Sequence, residues 1–256
     1  DKIYDFPVGF AGIMATSGEV GYDPRSWASE YDHDLETVSP YYYSVLLEDY
    51  DIEVEYSVAQ HSAYFRFTFR DSAEAPKIWM NVRKAGAIQC VNASTLTGWA
   101  EGVGGVRCYF FMQLSAPCRE MGPWTALGSG KSGHDESGAV LSFDGKYDNS
   151  IDVKVGISYI DIEQARANLL RELPHWDFAK VVAQAREIWN DTLRKIEISG
   201  GTERERTVFY TALYRSLLRM TNITEYGRYY SGYDGKVHDA EGHDFYVNDG
   251  LWDTYR

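Results

Sequence analysis

Apolar residues in this chain change their period once, near residue 157, and that change restricts the fold more than any other feature. Before it, Ile52-Glu53-Val54-Glu55-Tyr56-Ser57-Val58 alternates apolar and polar residues, the period of a half-buried strand. Tyr64 to Arg70 is rich in aromatic residues and reads as the next strand. Further strands are expected at 42–47, 78–82, 87–91, 95–100, 107–114, 139–143 and 151–157. Turn residues separate them, as in Glu48-Asp49-Tyr50-Asp51 and Asp71 to Pro76. Many short strands with no helix between them predict an antiparallel β-sandwich over residues 1–157.

After Ile157 the period becomes helical. Asp161 with Gln164 three residues on is a helix-start signal, and Ile162, Ala165, Leu169 and Leu173 then recur at helical spacing up to Pro174. Asp177 caps a second helix whose stripe is Phe178, Val181, Ala185, Ile188, Trp189 and Ile196. Residues 158–198 therefore read as linking helices. Thr202 and Glu205 form a capping box for a third helix. Phe209, Leu213, Leu217 and Met220 line one of its faces, with Tyr210, Tyr214 and Leu218 beside it. A stripe that wide predicts burial on two sides, as in a helical barrel that begins at residue 199. From Tyr226 to Arg256, glycines, aromatic residues and acids interleave, as in loops that carry chemistry on a rigid scaffold.

Composition narrows the function. A hydrophobic content of 44% over 256 residues supports a folded core. The net charge of −13 argues against a nucleic-acid partner, which needs a basic face. No apolar run reaches the roughly 18 residues of a membrane span. The chain opens Asp1-Lys2-Ile3-Tyr4 with no signal peptide and no initiator Met, and so reads as mature, trimmed or incomplete. Residues 1–150 carry 11 basic and 21 acidic side chains, and the nine acids from Glu30 to Glu55 read as a solvated face. The aromatic content of 15% fits sheet packing, and it also fits rings that stack on sugars.

Several residue patterns have chemical readings. Gly128 to Gly133 has the composition of a phosphate loop but lacks the strand–loop–helix context, so nucleotide binding is rejected there. Cys90, Cys108 and Cys118 show no C-x-x-C spacing, which disfavours zinc; a Cys90–Cys108 bridge and three buried thiols both stay open. Asn92, Asn190 and Asn222 open Asn-x-Ser/Thr triplets, which matter only in a eukaryotic secretory host. His238, Asp239, Glu241, His243 and Asp244 are metal-ligand types, but the five-residue His spacing matches no helical ligand pair. Asp249 and Asp253 are candidates for a carboxylate pair of the glycosidase kind. Trp252-Asp253 offers a flat apolar ring beside a carboxylate that can accept two vicinal hydroxyl bonds; by itself the pair is an unspecific signal.

Five ordered blocks carry a specific resemblance. They are Gly201-Thr202-Glu203, Phe209-Tyr210-Thr211-Ala212-Leu213-Tyr214, Gly227-Arg228-Tyr229, Gly232 to His238, and Leu251-Trp252-Asp253-Thr254-Tyr255-Arg256. Together they resemble glycoside hydrolase family 92, the exo-acting, calcium-dependent α-mannosidases of bacteria. Trp176-Asp177-Phe178 and Trp189-Asn190 look like that family's linking helices. Pro40 to Val45 and His61 to Phe69 look like its sandwich.

The resemblance implies an N-terminal β-sandwich, two linking helices and an (α/α) six-hairpin toroid, of which 199–256 would be the first part. It implies inverting hydrolysis of terminal α-mannose from mannans or N-glycans, with a Glu as general acid and an Asp as general base. It implies calcium at the mannose hydroxyls, α-mannoside glycans as partners and an extracytoplasmic location: periplasmic, cell-surface or secreted. Trp252 and Asp253 match the family's WDT motif, which lines the terminal-mannose subsite. The family's acid, base and calcium ligands are expected beyond Arg256, so no catalytic residue or metal ligand is assigned within 1–256. The chain departs from the family before Leu251, where Asp249-Gly250 replaces the usual Phe-Ser, and it has no clear match to the family's early Gly- and His-rich segments. The other readings are a different α-toroid glycoside hydrolase or phosphorylase, and a non-catalytic carbohydrate-binding protein.

Overall fold

The structure is a computed structural model, and it describes residues 11–70, 75–83, 86–102, 105–126, 136–144, 150–218 and 221–247. Twelve strands come first: β1 (Ala11–Thr16), β2 (Thr37–Ser39), β3 (Tyr42–Leu47), β4 (Ile52–Val58), β5 (Ser62–Phe69), β6 (Lys77–Arg83), β7 (Gly86–Asn92), β8 (Thr95–Glu101), β9 (Arg107–Leu114), β10 (Glu120–Ala126), β11 (Glu136–Ser142) and β12 (Ser150–Ser158). Helices α1 (Ile162–Glu172), α2 (Phe178–Leu193) and α3 (Glu203–Ser216) follow, then a hairpin of β13 (Arg228–Ser231) and β14 (Lys236–Asp239). The strands form an eight-stranded sheet in the order β2-β3-β4-β5-β12-β9-β8-β7 and a four-stranded sheet in the order β1-β6-β11-β10. Every strand pairing among the described residues is antiparallel.

The two sheets bury one core between them, built from Ile78, Met80 and Leu141 on the small sheet and Phe67, Leu96, Phe110, Met112, Ile151 and Val153 on the large one. Helix α1 and the first turns of α2 cover the opposite face of the large sheet. Strand β12 shows why three layers are needed. Its Ile151 and Val153 are 1% and 0% exposed toward the small sheet, yet Asp152 and Lys154 on the other face are only 8% and 2% exposed. Asp152 is satisfied across the strand pair by Arg66, at 2.7 and 2.8 Å, and by the Tyr64 hydroxyl at 2.7 Å. The ammonium of Lys154 donates to the Leu173 carbonyl at 2.9 Å, just past the end of α1, and lies 4.1 Å from the centre of the Trp176 ring. A cation suits that position, because the last carbonyls of a helix are unpaired and carry partial negative charge.

The helix starts fold as their capping residues dictate. Asp161 accepts the Gln164 N–H at 2.7 Å, and Asp177 accepts the Lys180 N–H at 3.1 Å. Thr202 and Glu205 form the full capping box, with the Glu205 carboxylate taking the Thr202 N–H at 2.7 Å. Ala165, Leu169 and Leu173 pack with Phe178 and Val181 against Tyr64 and Phe111 of the large sheet.

The structure differs from the expectation in particular places. Strands β1, β2 and β10 and the β13–β14 hairpin are additional, and β11 begins three residues before 139. The second helix ends at Leu193, leaving Ile196 outside it and exposed, and Ile188 is exposed as well. The first two turns of α2 pack on the sheet through Phe178, Val181 and Ala185, and its later turns do not. Helix α3 buries none of its residues: Phe209 and Leu213 are half-buried and Leu217 is exposed. Among the described residues α3 packs chiefly on α2, where Tyr214 meets Trp189 with ring centroids 5.1 Å apart. Met220 lies outside the described residues.

The cysteines are all free, and only Cys108 and Cys118 are buried. Both readings of them are therefore corrected. Strand β8 lies between β7, which carries Cys90, and β9, which carries Cys108. Two strand spacings of about 4.8 Å exceed the roughly 7 Å limit for a bridged pair. The acidic stretch is only partly a solvated face. Glu36 and Glu55 accept the hydroxyls of Tyr43 and Tyr42 at 2.6 and 2.7 Å.

Candidate functional site

The residues that lead toward Trp252 and Asp253 form a platform rather than loose loops. Strand β13 pairs with β14 from Arg228↔Asp239 to Ser231↔Lys236. Entry to the hairpin is a tight turn in which Tyr226 and Gly227 both take positive φ, closed by the Glu225 N–H donating to the Arg228 carbonyl at 2.7 Å. Tyr229 is held between two rings, stacked on Phe245 at 3.8 Å and on His238 at 5.5 Å. The last described stretch returns beside the first. Ile223 donates to the Phe245 carbonyl at 2.8 Å, and Val247 donates to the Thr221 carbonyl at 3.0 Å. Ile223 and Val247 are buried with Val106 of the sandwich domain. The backbone is thus fixed to within five residues of Trp252.

Three buried contacts bind the platform and α1 to the sandwich. The first centres on Glu225, which is 1% exposed. Its carboxylate accepts the Tyr159 N–H and the Asn168 side-chain amide, each at 2.8 Å. Asn168 also donates to the Ile157 carbonyl at 2.9 Å and accepts from Gln164 at 2.8 Å, and Gln164 in turn accepts from Arg228. Burial raises the Glu225 carboxyl above the usual carboxylate range, opposed by hydrogen bonds from Ser158, Tyr159 and Asn168. The second centres on Glu172, at the end of α1. It takes the His61 N–H at 2.9 Å, His61 Nδ1 at 3.0 Å and the Tyr226 hydroxyl at 2.5 Å. Burial, the largest single influence, raises the Glu172 carboxyl, but the His61 and Tyr226 bonds together hold it below its ordinary value. The third is Lys154 at the end of α1, and there desolvation lowers the ammonium pKa.

These contacts give a stability prediction. Asn168→Ala is expected to lower unfolding free energy by about 2–3 kcal/mol, because it removes a hydrogen bond to a charged group and strands a buried acceptor. Urea unfolding followed by tryptophan fluorescence measures it, and an unchanged midpoint would contradict the role given to Asn168.

The residues singled out from the sequence fare differently. His238 bonds to Asp234 at 2.9 and 3.1 Å; Asp239, Glu241, His243 and Asp244 are exposed. Among the described residues no three His, Cys, Asp or Glu side chains gather where an ion could sit, so this group is not brought together. Asp249, Trp252, Asp253 and the 128–133 segment lie outside the described residues. Sequence reasoning missed Glu172 and Glu225 altogether. An acid directly before Leu173-Pro174, and another next to the buried Ile223-Thr224 pair, were the only local signs.

Comparison with known proteins agrees with this architecture. The sequence profile of the glycosyl hydrolase family 92 N-terminal domain matches residues 7–158, and that of the family's catalytic domain matches residues 164–256. An inverting mannosidase of the same family from Bacteroides thetaiotaomicron superposes with a TM-score of 0.85 at 27% identity, covering 96% of this chain and 35% of its own. A second family 92 α-mannosidase of that organism gives 0.84 at 26% identity, covering 97% and 37%. A protein of Arthroderma benhamiae, described as an uncharacterized secreted glycosidase, is 32% identical over 78 residues, 29% of this chain and 10% of that protein. The chain thus spans little more than a third of the mannosidases it superposes on. With both domain profiles matched in order across the sandwich and the helices, the chain belongs to glycosyl hydrolase family 92.

Proposed function

We propose that the protein carrying this chain is an exo-acting α-mannosidase that removes terminal α-mannose from mannans or N-glycans with inversion. The observation that carries this reading is the match to both family domains, together with superposition on mannosidases, one of them also solved with mannoimidazole. In this reading Trp252 packs against the terminal mannose and Asp253 accepts two of its hydroxyl hydrogen bonds. The platform fixes the chain as far as Val247, five residues before Trp252. Residues 1–157 are the sandwich domain, 158–198 the linkers and 199–256 the first part of the catalytic toroid. The catalytic acid and base come from the remainder of that toroid. An extracytoplasmic location is part of the proposal; a relative is described as secreted, and no helix among the described residues is long and apolar enough to cross a membrane.

Calcium belongs to the proposal through the family alone. The described residues do not fit a calcium site, since hard cations need six to eight oxygens and no cluster of carboxylates converges here. No step is therefore derived through it, and its ligands are expected elsewhere in the complete protein. The complete protein assayed on α-mannosides is expected to release mannose of inverted, β, configuration. Chelation should abolish release and added calcium should restore it. No mannose with calcium present would refute the function, and full activity in chelator would refute the calcium requirement alone.

A further inference from the structure

Two of the three cysteines come together at one edge of the sandwich. Strand β7 is the last strand of the large sheet, and Cys90 lies near its end, opposite Leu96 of β8. Opposed residues of an antiparallel pair point to the same face. Leu96 is buried in the core between the sheets, so the Cys90 side chain is on that core face too. Ile88, two residues earlier on β7, packs against the same core. Cys118 belongs to that core as well. It sits in the crossing from β9 to β10, where its N–H donates to the Ala93 carbonyl at 2.8 Å. Ala93 is in the turn that joins β7 to β8, three residues beyond Cys90. Cys118 is thus held under the end of the strand that carries Cys90, on the face that Cys90 shares.

The two thiols are near enough to act on one another. Burial raises the Cys118 thiol above its ordinary pKa, a backbone hydrogen bond opposes this, and the Cys90 thiol adds to the rise. Cys90 is exposed, so a reagent in solvent reaches it, whereas Cys118 is buried. An accessible thiol beside a shielded one is the arrangement of an attacked cysteine and its resolving partner. Final approach of the two sulfurs falls on the softest part of the sheet. Among the described residues β7 has a neighbouring strand on one side only, and a bulge interrupts its pairing between Cys90 and Asn92. Cys108 has no such access, being buried on β9 with β8 between it and Cys90.

We propose that Cys90 and Cys118 are an oxidation site that closes to a disulfide when the protein meets a small disulfide such as oxidised glutathione. The Cys90 thiolate attacks one sulfur of the reagent, the reagent's S–S bond breaks, and one glutathione thiolate leaves and takes up the Cys90 proton. The Cys118 thiolate then attacks the Cys90 sulfur of the mixed disulfide. The Cys90–Cys118 bond forms, and the second glutathione leaves with the Cys118 proton. Two protein thiols are oxidised, and one reagent disulfide is reduced to two thiols. The bond ties the edge strand to the crossing between the sheets and closes the chain between them into a loop, which restricts the unfolded state. Such bonds persist in oxidising compartments. The site does not depend on the mannosidase reading.

The test treats the complete protein with oxidised glutathione at a pH of about 8.5, near the ordinary thiol pKa. Chymotrypsin cuts at Tyr109, Phe110 and Phe111, which separates Cys108 from Cys118, so mass spectrometry of the digest identifies the linked pair. The expected product joins the Cys90 and Cys118 peptides and leaves Cys108 as a thiol. The thermal transition of the sandwich should rise by about 5 °C or more on oxidation and fall back on reduction. Cys118→Ala should stop at a glutathione adduct on Cys90, with no such rise. In the unsubstituted protein, a lasting adduct on Cys90, unreacted thiols or a link to Cys108 would overturn the proposal. So would a mapped Cys90–Cys118 link without the thermal rise, because the bond would then distort the edge and not staple it. If Cys118→Ala folds poorly, the peptide map of the unsubstituted protein still decides.

Discussion

Asp253→Asn in the complete protein is expected to lower kcat/KM on terminal α-mannosides by about 10²-fold or more. A carboxylate accepts two hydroxyl hydrogen bonds, each strengthened by its charge. Asparagine keeps one acceptor, loses the charge and turns a donor toward one of the hydroxyls. Losing one oriented polar contact of this kind in a water-excluded site costs about 2.7–4 kcal/mol of transition-state stabilisation. The thermal midpoint should not move. The substitution leaves in place the residues whose buried contacts fix the platform, Ile223, Glu225 and Val247. Glu163→Gln, on the solvent side of α1, serves as the control with unchanged rate. A loss below about threefold in Asp253→Asn would remove Asp253 from the mannose subsite.

The sandwich and the helix starts were legible because they follow local rules. A capping box needs only Thr202 and Glu205, three residues apart, and the strand at Ile52–Val58 needs only alternation. The missed strands fail those rules for a physical reason. Both β1 and β10 are edge strands of the small sheet, and edges tolerate Gly12, Gly122 and Pro123, which mask a strand pattern. The hairpin at 228–239 is hidden because Tyr229 and Tyr230 pack within the platform's own aromatic cluster rather than in a sheet core. Least legible were the contacts that hold the platform. Glu225 meets Asn168 across 57 residues, and Glu172 meets His61 across 111. No periodicity encodes such a pair, since each partner looks like an ordinary surface residue until the chain closes around it. The reading of the motif near Trp252 rests in the opposite way on resemblance and not on any local rule.

Gly156→Val is expected to be the most damaging single substitution in the scaffold. Gly156 is on the helix-facing side of β12, one strand position beyond Lys154 on that face. A Cβ there would sit 2.3 Å from the Ala165 carbonyl and 2.7 Å from Leu169 Cβ. The obstacle is helix backbone, which cannot turn aside as a side chain can, so α1 must lift as a unit. Overpacking alone costs about 1–3 kcal/mol. Lifting α1 also pulls Ala165, Leu169 and Leu173 out of their cluster and stretches the bonds made by Gln164, Asn168 and Glu172. A total of about 3–5 kcal/mol follows if even one of those buried charged contacts opens. Gly122→Ala is the matched comparison, because its Cβ would meet nothing within 4 Å. It should be neutral or stabilise by a few tenths of a kcal/mol, through lost freedom in the unfolded chain. Denaturant unfolding of Gly156→Ala, Gly156→Val and Gly122→Ala separates crowding from chain entropy. If Gly156→Val matches Gly122→Ala, the close approach of α1 to β12 is not what holds the helical layer on the sheet. If Gly156→Val destabilises as expected, mannose release should fall with it. Glu172 and Asn168 reach Tyr226 and Glu225 only while α1 stays seated, and those two residues fix the segment that runs on toward Trp252 and Asp253.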